Sequence, residues 1–424
     1  MDLFLVRKVI ILVFAWVFYW GFPSILAGQI HISTSTSLSD LGTLEKVDDG
    51  IDFEYTNHFI LVKVRINGFP LQFILDTGAG YTILFDKELA GVLNLELERT
   101  VLFWGADRID TLQAHVSRNV RVGVGKKTIS TDVLVMEEDV FQLEKYIDSQ
   151  IHGIIGGNFL KHFILTIDYR KSKILLQSPT EFKEPKPCKT CKSFALELNK
   201  NKPYLNATVK IKSDDSTNIN LLLDSGAALG LLLYTHTNAE LKPPDHLILS
   251  PLGLGLGGYI KGYIGRVFAL ELAGRTYNNL ITHFQKFEDD ESLEESYRKD
   301  GLLGNLILGQ HKITIDYIHK KLYLRPYSSK IKPFRFNRTG IVVIKGGEFK
   351  TQYIVHHVIA GSPGAEMGIR VGDVLTKIRG WSVNYFSLED IEKSFTKRNR
   401  KYINLSLTRN GEKIKLKLPL RDLL

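Results

Sequence analysis

The chain has 424 residues, 44% hydrophobic and 24% charged, an ordinary globular composition that at roughly 150 residues per domain suggests about three domains. Its formal charge of +9 raises nucleic acid or an anionic membrane as a partner, but the lysines and arginines are scattered over polar strand positions without a basic-aromatic stripe. The charge therefore reads as solvated surface, and no nucleic-acid partner is expected.

Arg7 and Lys8 precede the apolar run "VIILVFAWVFYWGF", Pro23 breaks it, and "SILAGQ" supplies small residues. This order predicts a signal peptide over 1–28, a mature start near Gly28 or Gln29, and export to the periplasm or the outside. Left uncleaved, the same segment would anchor the chain to a membrane. Gln29 stands where a lipoprotein would have cysteine. A polar leader follows over 29–50, including "STSTSLSD".

From residue 51 the pattern is β. "HFILVKVRINGFPLQFIL" reads as a hairpin ending in "FILDTGAG", residues 73–80, which places Asp76 at the tip of an apolar strand. A carboxylate there is costly unless something holds it. "IIGG" begins at Ile154 and "TIDYRKSKILL" at Thr166, closing a unit over 51–180. The linker 181–192 holds both cysteines, Cys188 and Cys191. No second Cys/His cluster completes a zinc site, so no metal and no cofactor are expected, and in an exported protein the pair reads as a local disulfide.

The unit 193–327 repeats this order. "PYLNATVKIKSDDSTNINLLL" is again a hairpin leading into "LLLDSGAA", with Asp224 at the tip, followed by "LLGN" at Leu302 and "TIDYIHKKLYL" at Thr314. Asp76 and Asp224, Ile154 and Leu302, and Thr166 and Thr314 are each 148 positions apart (224 − 76, 302 − 154, 314 − 166). Three motifs in register make a duplication. Gly78 and Gly226 allow a sharp turn and a close approach by a partner, Thr77 and Ser225 supply hydroxyls to hold it, and the apolar pairs before Gly156 and Gly304 can pack beneath. Two such turns about a pseudo-twofold axis would set two carboxylates side by side.

The paired D-T-G-A and D-S-G-A motifs, each with apolar-apolar-Gly 80 residues on, resemble the two halves of an aspartic peptidase of the retropepsin/pepsin type over roughly 51–327. The resemblance implies a mainly β, bilobal double β-barrel that hydrolyses polypeptides, with Asp76 and Asp224 catalytic and Thr77, Gly78, Ser225 and Gly226 supporting them. It places flaps near Trp104-Gly105 and within 253–265. Two close carboxylates should share one proton. Asp168 and Asp316, in the two "TIDY" strands, lack a glycine turn and read as structural. The acidic run 286–300 reads as a solvated loop. A second reading of the body is a degenerate peptidase fold that binds peptides or unfolded exported proteins without cutting them.

After a link over 328–337, the stretch "YIVHHVIAGSPGAEMGIRVGDVLTKIRG" resembles the centre of a PDZ domain, placed over 338–424 as in PDZ-fused aspartyl proteases of bacteria. Ser387, Leu388, Asp390, Ile391 and Phe395 predict a helix with a capping box, and Asn410-Gly411 predicts a hairpin. The resemblance implies an extended peptide as ligand, with "TGIVVI" bordering its groove. His356-His357 reads as strand. There is no H-E-x-x-H and no G-x-S-x-G elbow.

Overall fold

The fully apolar strand ends that precede each aspartate need cover on both faces, and closed sheets supply it. In the computed structural model, which describes residues 50–424 except 105–110, 138, 140–142, 148, 187–190, 256–257, 286–298 and 348–350, the chain is mainly β. The segment read as signal peptide therefore lies outside the described residues.

The first barrel is a ring of six strands: Phe59–Ile66, Phe69–Leu75, Gly153–Ile155, Thr82–Leu84, Lys127–Met136 and Thr111–Val124, which pairs back onto the first strand. The second ring runs in the same order through Lys202–Lys210, Thr217–Leu223, Gly301–Leu303, Leu231–Tyr234, Arg275–Gln285 and Gly258–Leu272. In both, the strand leading to the aspartate lies parallel to the strand before the downstream glycine: Leu75 opposes Ile155, and Leu223 opposes Leu303.

A six-stranded sheet joins the rings, in the order Ile51–Asp52, Lys173–Gln177, Ile164–Asp168, His311–Asp316, Lys321–Pro326 and Lys192–Ala195. At its centre Thr166 faces Thr314, with the two Oγ1 atoms 2.8 Å apart. The "TIDY" repeat is thus the seam of the duplication. Asp168 accepts hydrogen bonds from the Tyr327 hydroxyl and the Lys171 N–H, and Asp316 accepts from the Ile318 and His319 N–H groups and faces His319 Nδ1 at 2.8 Å. Both carboxylates tie turns, in keeping with the structural reading.

Residues 341–420 build a separate core around Ile341, Val355, Ile378, Ile391, Leu407 and Leu418. Its strands run in the order Ile341–Gly346, Gln352–Val358, Val374–Ile378, Tyr402–Arg409 and Glu412–Pro419. Ser362 caps the short helix Pro363–Glu366, and the helix Leu388–Phe395 carries the expected Ser387/Asp390 capping box. Asn410 and Gly411, both at positive φ, turn the last hairpin. The edge strand Ile341–Gly346 lies against the short turn Leu143–Lys145 of the first barrel.

The stretch 328–337 read as a link packs on the body: Ile331 and Phe334 lie on the barrel core, while Phe336 and Leu424 cover Leu232 and Ile264. His246 Nε2 donates to Leu423 O at 2.8 Å. Apolar residues spaced within a polar stretch carry this docking, which composition alone reads as linker. Cys191 is disulfide-bonded, and Cys188 lies outside the described residues.

Candidate active site

Each aspartate leaves its strand bonded to the strand beside it: the Asp76 N–H donates to Ile155 O at 3.1 Å and the Asp224 N–H to Leu303 O at 3.0 Å. The turn that follows folds back on the carboxylate. Asp76 Oδ1 accepts from the Gly78 and Ala79 N–H groups at 2.7 and 3.0 Å, and Asp224 Oδ1 from Gly226 N–H at 2.9 Å.

Thr77 and Ser225 lock the two turns together reciprocally. The Thr77 hydroxyl donates to Leu223 O at 2.6 Å and accepts from the Ser225 N–H at 3.0 Å; the Ser225 hydroxyl donates to Leu75 O at 2.8 Å and accepts from the Thr77 N–H at 3.0 Å. Both side chains are 1% exposed, so all four bonds are shielded from water and none has a substitute partner.

Gly78 and Gly226 serve a different need from the one a turn suggests. Neither has a positive φ. A β-carbon on Gly78 would stand 2.5 Å from Asp224 Cγ, and one on Gly226 would stand 2.4 Å from Asp76 Cγ. Each carboxylate lies in the space left by the other turn's glycine. What glycine supplies here is room rather than backbone freedom.

The structure therefore brings together all six residues singled out in the sequence: Asp76, Thr77, Gly78, Asp224, Ser225 and Gly226. Burial raises the pKa of Asp76, and the neighbouring Asp224 charge raises it further; backbone bonds from Gly78 and Ala79 oppose this in part. Asp224 is raised by burial too, but Lys299, the Gly226 N–H, a hydrogen bond from Asp76 and Lys202 all favour its charged form. The two are therefore raised as a unit and keep a proton that a lone carboxylate would lose, with Lys299 and Lys202 favouring charge on Asp224.

Three contributors escape a sequence reading. Asn305, in the helix Asn305–Leu308, occupies the position of Gly157 in the first copy; its Nδ2 donates to Ser225 O at 2.6 Å and to His58 O at 2.7 Å, and its Oδ1 accepts from Tyr169 at 2.7 Å. Lys202 begins its strand where Phe59 begins the matching one, and Lys299 stands 148 positions after the buried Ile151 (299 − 151). Aligning the hairpins would have shown a lysine in each apolar slot, the available signal.

Among the flap positions, Trp104 ends the strand Arg99–Trp104, and Gly105 lies outside the described residues. The stretch 253–265, where the resemblance places a second flap, falls in the hairpin Ile248–Gly255 and Gly258–Leu272, whose tip, 256–257, is likewise outside them. No group of side chains that could hold a metal ion occurs among the described residues.

Residues 62–159 match the family model described as Aspartyl protease, which supports an aspartyl protease family and aspartic peptidase activity in general. No curated protein matches the chain.

Proposed function

We propose that the protein is an exported aspartic endopeptidase in which Asp76 and Asp224 together activate a water against a peptide bond. One observation carries the reading: each carboxylate is seated against the opposite copy's glycine while Thr77 and Ser225 hold the turns reciprocally. Such a seat fixes two carboxylates at the cost of charge repulsion, which a purely structural seam would not require. The Asp224 carboxylate takes a proton from the water as its oxygen attacks the peptide carbonyl carbon. Asp76 gives its proton to the carbonyl oxygen, yielding a neutral tetrahedral diol. The proton taken by Asp224 then passes to the leaving nitrogen, the C–N bond breaks, and the diol returns a proton to Asp76. No acyl-enzyme forms.

The C-terminal sheet is read as a PDZ domain that binds an extended polypeptide. The apolar run that opens the chain supports export.

The test is cleavage of an unfolded protein by chain lacking residues 1–28, with and without a transition-state-mimicking aspartic peptidase inhibitor. Inhibitor-sensitive cleavage, absent in Asp76→Asn and Asp224→Asn, is expected. Binding without cleavage from acid to neutral pH would identify a peptide-binding body instead.

A further inference from the structure

Beside the aspartate pair stands a cation with no bond of its own. Lys202 is half-buried, and among the described residues its ammonium has neither a hydrogen bond nor an ion pair. Its stem runs along the turn that begins at Asp76: a β-carbon on Gly80 would stand 2.8 Å from Lys200 O and 3.4 Å from Lys202 Cε. Asp76 and Asp224 act on it with charge of opposite sign, Lys299 and Lys200 with charge of the same sign. Lys299 lies with its Nζ 5.1 Å from the centre of the Tyr234 ring.

The aspartates balance this cation only in part. Their Oδ1 atoms are taken up by the turn N–H groups, the pair keeps one proton, and their single negative charge is shared between two lysines. A half-buried ammonium whose charge the pair balances only in part and whose N–H donors are unused is an arrangement that a ligand carboxylate improves. Burial, with Lys299 adding to it, lowers the Lys202 pKa, and Asp76 and Asp224 oppose this in part.

We propose that Lys202 is a specificity-determining residue that binds the side-chain carboxylate of an aspartate or glutamate lying next to the scissile bond, so that the cleft selects acidic polypeptide segments. The inference rests on the reading of the cleft as a peptide-cleaving site. The substrate carboxylate accepts a charge-assisted hydrogen bond from Nζ, with no change in bonding at the reaction centre. Selection requires that the substrate be ionised, so it fades below the ordinary carboxylate range.

Two peptides that differ only by Glu or Gln beside the cleaved bond test this. The wild type should cleave the Glu peptide about tenfold better in kcat/KM near neutral pH, with the ratio falling toward one in acid and in high salt. Lys202→Met, which keeps the apolar stem, should bring the ratio to about one, and Lys202→Arg should restore it. An equal loss on both peptides in Lys202→Met would show that the lysine only tunes the aspartates, and would overturn the proposal. Binding of reduced-amide analogues of the two peptides, read by calorimetry, separates the inference from the reading beneath it. Glu-selective binding that Lys202→Met removes, in a protein that cleaves nothing, would uphold the acidic subsite and reject the peptidase. Cleavage without Glu selectivity would do the reverse.

Discussion

The two barrels share one strand order and differ where they meet the cleft. In the first, Gly157, Phe59 and Ile151 are small or apolar; in the second, the matching positions hold Asn305, Lys202 and Lys299. The parts that hold the carboxylates, Thr77 with Ser225 and Gly78 with Gly226, stay nearly symmetric. Duplication thus preserved the grip and let the surroundings diverge. The divergence gives two chemically similar aspartates unequal environments, because both lysines near the pair come from the second copy.

The largest effect should come from breaking the symmetric part. Asp76→Asn and Asp224→Asn should each lower kcat on the order of 10⁴-fold, and the double variant should lose little more, since the two act as one unit. Asp168→Asn with Asp316→Asn should change melting temperature and leave turnover near the wild-type value. Near-normal turnover in Asp224→Asn alone would show that the second copy is only a scaffold.

Next come Gly78→Ala and Gly226→Ala. Each added methyl falls within 2.5 Å of the opposite Asp Cγ, so the carboxylates must separate, and activity should drop about 100-fold in either half. Retained folding by circular dichroism would confirm a local cause.

Stability reports the grip and the divergent bond. Thr77→Val removes donor and acceptor at a buried site and should cost roughly 1–3 kcal/mol in urea unfolding, while Thr77→Ser should recover most of it. Asn305→Ala should cost a similar amount, because Ser225 O, His58 O and the Tyr169 hydroxyl lose their partner together. At the seam the same logic gives a smaller number: Thr166→Val should cost about 1 kcal/mol, and Thr166→Val with Thr314→Val should be closer to neutral, since no hydroxyl is then left unpaired.

A last effect concerns pH and bears on the aspartate pair as a unit. Asp76 is pushed up to about 8, above its unfolded value, so the folded state binds the extra proton. Its contribution is fully present below the unfolded carboxylate value and is lost as pH rises through the folded one. Unfolding free energy measured from about pH 4 to pH 8 should therefore carry a downward component in the wild type. Asp76→Asn should remove that component, so that its stability relative to wild type rises from pH 4 to pH 8. Equal slopes in the two proteins would mean that the pair keeps no such proton.

The sequence by itself determined the duplication, the aspartate at the end of each apolar strand, the Ser387/Asp390 cap and the Asn410-Gly411 hairpin. These are recorded in local spacing and in a constant offset, because strand period, capping and turn chemistry act over a few residues. The offset even survives as physical bonds, since Thr77 meets Ser225 and Thr166 meets Thr314 across 148 positions. Only the tertiary structure decided what surrounds the carboxylates. That His58 O receives Asn305 across 247 positions, that Gly78 makes room for Asp224, and that Lys202 comes to lie along the Gly80 turn all depend on how one copy is laid against the other. The same holds for Phe336 and Leu424, polar-stretch and terminal residues that close over Leu232 and Ile264. A packing contact between distant segments leaves no periodic trace in either of them, so its chemistry appears only when both faces are brought together.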